Sequence, residues 1–157
     1  MFSHLKTFLS STISSVFILA LLIALFIPHS VYSEDSLEVP VIRVIDGDTF
    51  QTIISLPAPL HEVKIRIRNI DTPESTYRGR CIEEQLLGKE ATKHLKLLLK
   101  DAKTVILTDF DWDKYGGRID ATVYYHGINI GQRMINDGYA VQYNGGKKPN
   151  WCSTPRR

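Results

Sequence analysis

The sequence is short of sulfur and indole, with two cysteines, two methionines and two tryptophans in 157 residues. It also lacks a dominant charge, since 19 Lys and Arg stand against 17 Asp and Glu. A membrane helix needs roughly 20 apolar residues, and the longest unbroken apolar run, Val16 to Ile27, has 12. No internal repeat or linker divides the chain. These absences exclude a multi-pass membrane protein and a polyanion binder that works through bulk charge. What is present, 43% apolar and 23% charged residues, is the balance of a globular domain and not of a disordered tail or a collagenous repeat.

Charge is distributed unevenly. The first 33 residues contain Lys6 and no acidic group, which leaves 18 basic and 17 acidic side chains on the other 124. Lys6, a Ser/Thr-rich stretch, the apolar run and Pro28 have the order of a secretory signal peptide. Val31 and Ser33 sit at the minus-three and minus-one positions of a cleavage site, so processing is expected before Glu34 and the functional domain over 34–157. The alternative is an uncleaved anchor over Phe8–Ile27, with its five Ser and Thr hydroxyls bonded back to helix carbonyls. Either reading puts the domain outside the cytosol, secreted, periplasmic or tethered facing outward. There, the even count formed by Cys81 and Cys152 favours a disulfide, whose loop of about 70 residues is worth roughly 4 kcal/mol in the chain-entropy model. Zinc is not expected, because His61, His94 and His126 are scattered and neither cysteine has a close partner.

From Val39 onward the pattern is β-rich. VPVIRVID, DTFQTII and HEVKIRIRNI are separated by Asp-Gly and by Leu-Pro-Ala-Pro. In the third run Val63, Ile65 and Ile67 alternate with Lys64, Arg66 and Arg68, so three basic groups share the wet face of one strand. A helix is expected over Ile82–Lys100, where Leu87, Ala91, Leu95 and Leu98 recur at helical spacing. KTVILTDF and RIDATVYYHG read as two more strands, and Ile128–Asp137 as a second helix stopped by Gly138. Five short strands with interposed helices predict an α+β domain, a small OB-type barrel packed on two or three helices.

Carboxylates and arginines concentrate in three segments: Asp46-Gly47-Asp48-Thr49, then Arg66 through Glu74, then Asp113-Lys114-Tyr115-Gly116-Gly117-Arg118. Taken singly, the first is a hairpin turn, Asp-Thr-Pro-Glu a turn or helix start, and the third a loop entering a strand. In this order and spacing the three together resemble the signature of the staphylococcal nuclease family, over about Val41 to Trp151. Cys81 and the closing Gly-Gly-Lys-Lys-Pro-Asn-Trp-Cys are similar to a secreted bacterial branch with a bridged tail.

The resemblance implies an OB-fold enzyme that hydrolyses DNA and RNA with one calcium ion and leaves 3′-phosphate ends. It implies a catalytic trio of Arg66, Glu74 and Arg118, and calcium ligands in Asp48, Asp71 and the carbonyl of Thr72. It further places Lys114 and Tyr115 at a neighbouring phosphate and makes Tyr143 a base-stacking platform. The residue types suit those roles: hard oxygens for calcium, a carboxylate for the attacking water, planar guanidinium forks for phosphate. A monomer without an obligatory protein partner is expected, meeting a membrane only transiently or through an uncleaved signal. Trp112 and Trp151 are assigned to packing, and Lys147-Lys148 to a solvated tail.

Two departures from the family pattern stand out. Tyr-Gly-Arg carries an extra glycine here, Tyr115-Gly116-Gly117-Arg118, and the segment Ser75–Glu84 differs in length and contains Cys81. A competing reading is a noncatalytic OB module that binds single-stranded nucleic acid or a protein.

Overall fold

A computed structural model describes residues 35–54, 61–114 and 117–153. The expected leader over 1–33 and Tyr115 lie outside the described residues. The alternating run forms β4 (His61–Ile67), with Val63, Ile65 and Ile67 buried and Glu62 and Lys64 exposed. Around it are β1 (Leu37–Pro40), β2 (Arg43–Val44), β3 (Thr49–Ile54), β5 (Ile70–Asp71), β6 (Thr104–Trp112), β7 (Arg118–Tyr125), β8 (Ile128–Asn129) and β9 (Val141–Gln142). The main sheet runs β1-β6-β7-β4-β3-β2, with β8 beside β7 and with β5 and β9 as a separate pair.

The five expected strand runs are thus present but broken at defined points. VPVIRVID divides into β1 and β2. The third run turns at Arg68-Asn69, where Asn69 adopts φ 63°, and continues as β5. The β1–β2 break closes the sheet. Val41 N–H donates to the Lys103 carbonyl next to β6, and Ile42 N–H donates to Gln51 in β3. Adjacent peptides can bond beside β6 and β3, which lie near opposite ends of the sheet order, only if those ends meet, so the strands form a barrel. Its interior is filled by Phe50, Ile65, Ile67, Leu107, Ala121 and Val123, each at most 1% exposed.

Two helices and a 3-10 turn (Trp151–Ser153) complete the α+β domain: α1 (Ile82–Leu98) and α2 (Ile130–Asn136). The second is shorter than its apolar spacing suggests. His126 and Gly127 both have positive φ and form a tight turn that pairs Ile128 with Tyr125, so Ile128-Asn129 is strand and not helix. Asn129 then caps α2 by accepting from Gln132 N–H at 2.9 Å. As expected, Gly138, at φ 79°, follows its last turn. Trp112 does not pack as expected: it lies beyond a bulge in β6 and is 55% exposed.

The helix α1 starts at Cys81, whose sulfur accepts from Glu84 N–H, and the same cysteine is bonded to Cys152 with a Cα–Cα distance of 6.0 Å. One face of α1 buries Gly88, Ala91 and Leu95. Gly88 is there for want of space, since a Cβ at that position would lie 2.5 Å from the Glu74 carbonyl carbon and 2.6 Å from the Pro73 oxygen. Alanine would add about 1 kcal/mol of helix propensity, yet it would overpack against backbone, which costs typically 1–3 kcal/mol. Gly88→Ala is therefore expected to lower the urea midpoint of unfolding. An unchanged or raised midpoint contradicts this close packing.

Candidate active site

The site is assembled from three turns set against the barrel. In the first, the N–H groups of Ile45 and Asp46 both donate to the Thr49 carbonyl, and Asp48 N–H donates to Asp46 Oδ1. Gly47 fits here because a Cβ would meet Thr72 Oγ1 at 2.8 Å and Ala91 at 2.9 Å. The turn therefore presses on both the Asp71-Thr72 segment and α1. Asp48 is buried, with Thr49 Oγ1 donating to its Oδ1 and the Arg66 guanidinium 3.0 Å from its Oδ2. Burial pushes the Asp48 carboxyl up from 3.8 to about 7, opposed by the attraction of Arg66 and assisted by repulsion from Asp46.

The second turn carries Asp71. Pairing of β5 with β9 sets Asp71 opposite Val141, and its side chain is 1% exposed. Trp151 Nε1 donates to Asp71 Oδ2 at 2.9 Å, so the tryptophan read as packing also holds a carboxylate. Asp71 Oδ1 has no aligned hydrogen-bond donor among the described residues. Cations face it instead, with Lys148 Nζ at 3.0 Å and Arg66 Nη2 at 4.0 Å.

Lys148 is the main correction to the sequence reading. It is not a solvated tail residue: its ammonium lies between Asp71 Oδ1 and Glu74 Oε1, 3.3 Å from the latter. Burial draws its pKa down, but the two carboxylates outweigh that and hold the ammonium above its ordinary value.

The third turn supplies Arg118. Strands β4 and β7 run parallel with Lys64 opposite Arg118 and Arg66 opposite Asp120, so Lys64, Arg66 and Arg118 share a face. Arg118 Nε is 2.5 Å from Asp113 Oδ2 and 3.6 Å from Asp120 Oδ1. A hydrogen bond from Asp113 N–H to the Arg118 carbonyl closes the turn. Tyr115 and Gly116 lie outside the described residues, and beyond them Arg118 pairs with Lys64 of β4.

Glu74 and Arg118 line one cleft of about 600 Å³ together with Asp46, Lys64, Tyr77 and Arg78. Asp48, Arg66 and Asp71 form a buried ion cluster joined to Glu74 through Lys148. Thr72 is buried against the Asp46–Thr49 turn, and Lys114 is exposed in the Arg118 loop. Tyr143 stands apart from the cleft lining, its hydroxyl donating to the Gly146 carbonyl. Sequence reasoning missed Tyr77, Arg78 and Gly88, gave Asp113 no role of its own, and misassigned Lys148. Tyr77, 86% exposed at the cleft, has no periodicity to mark it.

The chain matches the sequence model of the staphylococcal nuclease homologue family over residues 64–153. It is 39% identical over 104 residues to an uncharacterized endonuclease of Escherichia coli, covering 66% of this chain and 59% of the relative. It is 36% identical over 107 residues to endonuclease YhcR of Bacillus subtilis, covering 64% of this chain and 8% of that protein. Endonuclease YncB of the same organism is 32% identical over 117 residues, with 72% and 51% covered. The chain spans less than two thirds of each of these relatives.

The Asp48 environment gives a prediction. Its folded pKa of about 7 lies above the ordinary 3.8, so the ionised carboxylate opposes folding at pH 8 and that penalty fades as pH falls through 7 toward 4. Asp48→Asn should raise the melting temperature at pH 8 in chelator, by about 3 °C for each 1 kcal/mol relieved in a domain of this size. The gain should shrink at pH 5. A lower melting temperature at pH 8 contradicts the assignment.

Proposed function

We propose, since the chain belongs to the staphylococcal nuclease homologue family, that it hydrolyses phosphodiester bonds of DNA and RNA, depends on calcium and leaves 3′-phosphate ends. The observation that carries this reading is the opening of Glu74 and Arg118 onto one cleft, next to a cluster in which one guanidinium, Arg66, faces both Asp48 and Asp71.

The donor set suits a hard divalent cation. Asp71 Oδ1 is buried without an aligned hydrogen-bond donor, and its nearest neighbour is the ammonium of Lys148. No group of three acidic, histidine or cysteine side chains forms a metal cage among the described residues. Asp48, Asp71 and the Thr72 carbonyl would hold the calcium ion. With two carboxylates, the affinity without substrate would be weak, roughly 0.1 to 1 mM. When bound, the ion supplies Lewis acidity and a template for the phosphate.

The protein's own residues do the rest. Glu74, half exposed at the cleft, orients a water molecule and takes its proton as the oxygen attacks phosphorus. The bond from phosphorus to the 5′ oxygen breaks, the leaving oxygen is protonated from solvent, and the phosphate stays on the 3′ side. Arg66 and Arg118 donate to the phosphate oxygens as negative charge builds on them. Asp113 secures Arg118 from its Nε side. Lys64, Tyr77 and Arg78 extend the cleft surface available to the flanking strand.

The protein would act outside the cytosol as a monomer, without an obligatory protein partner. The Cys81–Cys152 disulfide is consistent with an oxidising compartment. Sequencing the native N-terminus tests secretion: a start at Glu34 supports it, and an intact leader supports a tethered enzyme.

Single-stranded DNA incubated with the protein in calcium or in chelator tests the activity. Calcium-dependent cleavage with 3′-phosphate products is expected, and tight binding without cleavage would make the chain a binding module. Glu74→Gln and Arg118→Lys should each cut the rate at least about a hundredfold, since lysine does not replace the guanidinium fork. Full activity of Glu74→Gln would remove Glu74 from this role.

A further inference from the structure

The C-terminal segment is delivered to the site by several anchors. Cys152 is bonded to Cys81, Trp151 Nε1 donates to Asp71 Oδ2, and Arg80 Nη1 donates to the Pro149 carbonyl at 3.3 Å. Lys148 extends from this stapled segment, and its Nζ reaches Asp71 Oδ1 and Glu74 Oε1. On its other side Gly145 and Gly146 take φ 96° and 90° with open space around them. Nothing about phosphodiester hydrolysis by Glu74, Arg66 and Arg118 requires an ammonium at this point.

A calcium ion bound to Asp71 would lie about 2.4 Å from the carboxylate oxygen, the same oxygen that Lys148 contacts at 3.0 Å. The ion and the ammonium would then stand within a few ångströms of each other beside a carboxylate that is itself 1% exposed, and like charges at that distance repel. Each positive charge therefore weakens the other's hold on that oxygen. The anchors raise the local concentration of the ammonium far above that of a free amine.

We infer that Lys148 is a tethered counter-cation that occupies the Asp71–Glu74 position in the metal-free protein and competes with the incoming divalent ion. Metal entry displaces it, and the long Lys148 side chain, 42% exposed, has room to turn toward solvent. The side chain neutralises the carboxylates when no metal is present and lowers metal affinity. This rests on the calcium reading of the same site.

Calorimetric titration of the full mature chain with calcium chloride, without substrate, tests the competition. Lys148→Gln is expected to bind calcium about tenfold more tightly than wild type, and Lys148→Arg, which keeps the charge, to bind about as wild type does. Methyl-labelled lysine NMR adds a second readout, in which calcium shifts the Lys148 signal of the wild type. Equal affinity of wild type and Lys148→Gln, both folded by circular dichroism, overturns the inference and leaves the calcium reading intact. Absence of calcium binding in all three proteins overturns both.

Discussion

The domain is organised around the burial of one carboxylate. Asp71 is removed from water on a two-residue strand, a position that is tolerable only if the charge is met from several directions. Trp151 meets it from the C-terminal turn, Lys148 from the tail and Arg66 from the barrel. The first two come from one C-terminal segment and the third from β4, so the carboxylate ties the tail to the barrel. The Cys81–Cys152 bond reinforces the same junction from outside, joining the start of α1 to the turn that carries Trp151.

The remaining features set geometry around that junction. Parallel pairing of β4 with β7 brings Lys64 and Arg66 alongside Arg118 and Asp120. The two glycines at Gly47 and Gly88 let the acidic turns approach α1 more closely than any side chain would permit. In a chain of net charge +2, the local pattern matters more than the total: cations gather on one barrel face while Asp48, Asp71 and Glu74 stand among them. Under the proposed function, that pattern would receive an anionic strand without the long-range attraction of a generally basic protein.

Much of this was legible in the sequence because it is local. The alternation at Val63, Ile65 and Ile67, the glycine that stops α2 and the turn chemistry of Asp46–Thr49 all report on neighbouring residues, and each has the expected form. The three polar segments were also recognisable as a set, though nothing in their spacing shows how Arg66 divides itself between Asp48 and Asp71. What failed was long-range. Ile128 has helical spacing, but the positive-φ turn before it and its partner on β7 make it a strand. Lys148 has the composition of a solvated tail, and the disulfide, the Trp151–Asp71 bond and the Arg80–Pro149 bond together bring it to Glu74. Since Cys81 is seven residues from Glu74 and Cys152 four from Lys148, the expected bridge already implied that proximity. Trp112 shows the reverse error, an aromatic residue assigned to packing that a bulge carries outward.

The seam of the barrel has a consequence for how the chain matures. Val41 and Ile42 bond to Lys103 and Gln51, one partner far along the polymer and the other close by. The nearby hairpin can zip early, whereas the distant bond waits for a long loop to close, at a higher entropic cost. Until the C-terminal half has emerged and folded back, the first strands present an open sheet with unpaired edges. A chain made N-terminus first would thus spend its most association-prone interval between the arrival of β4 and that of β6.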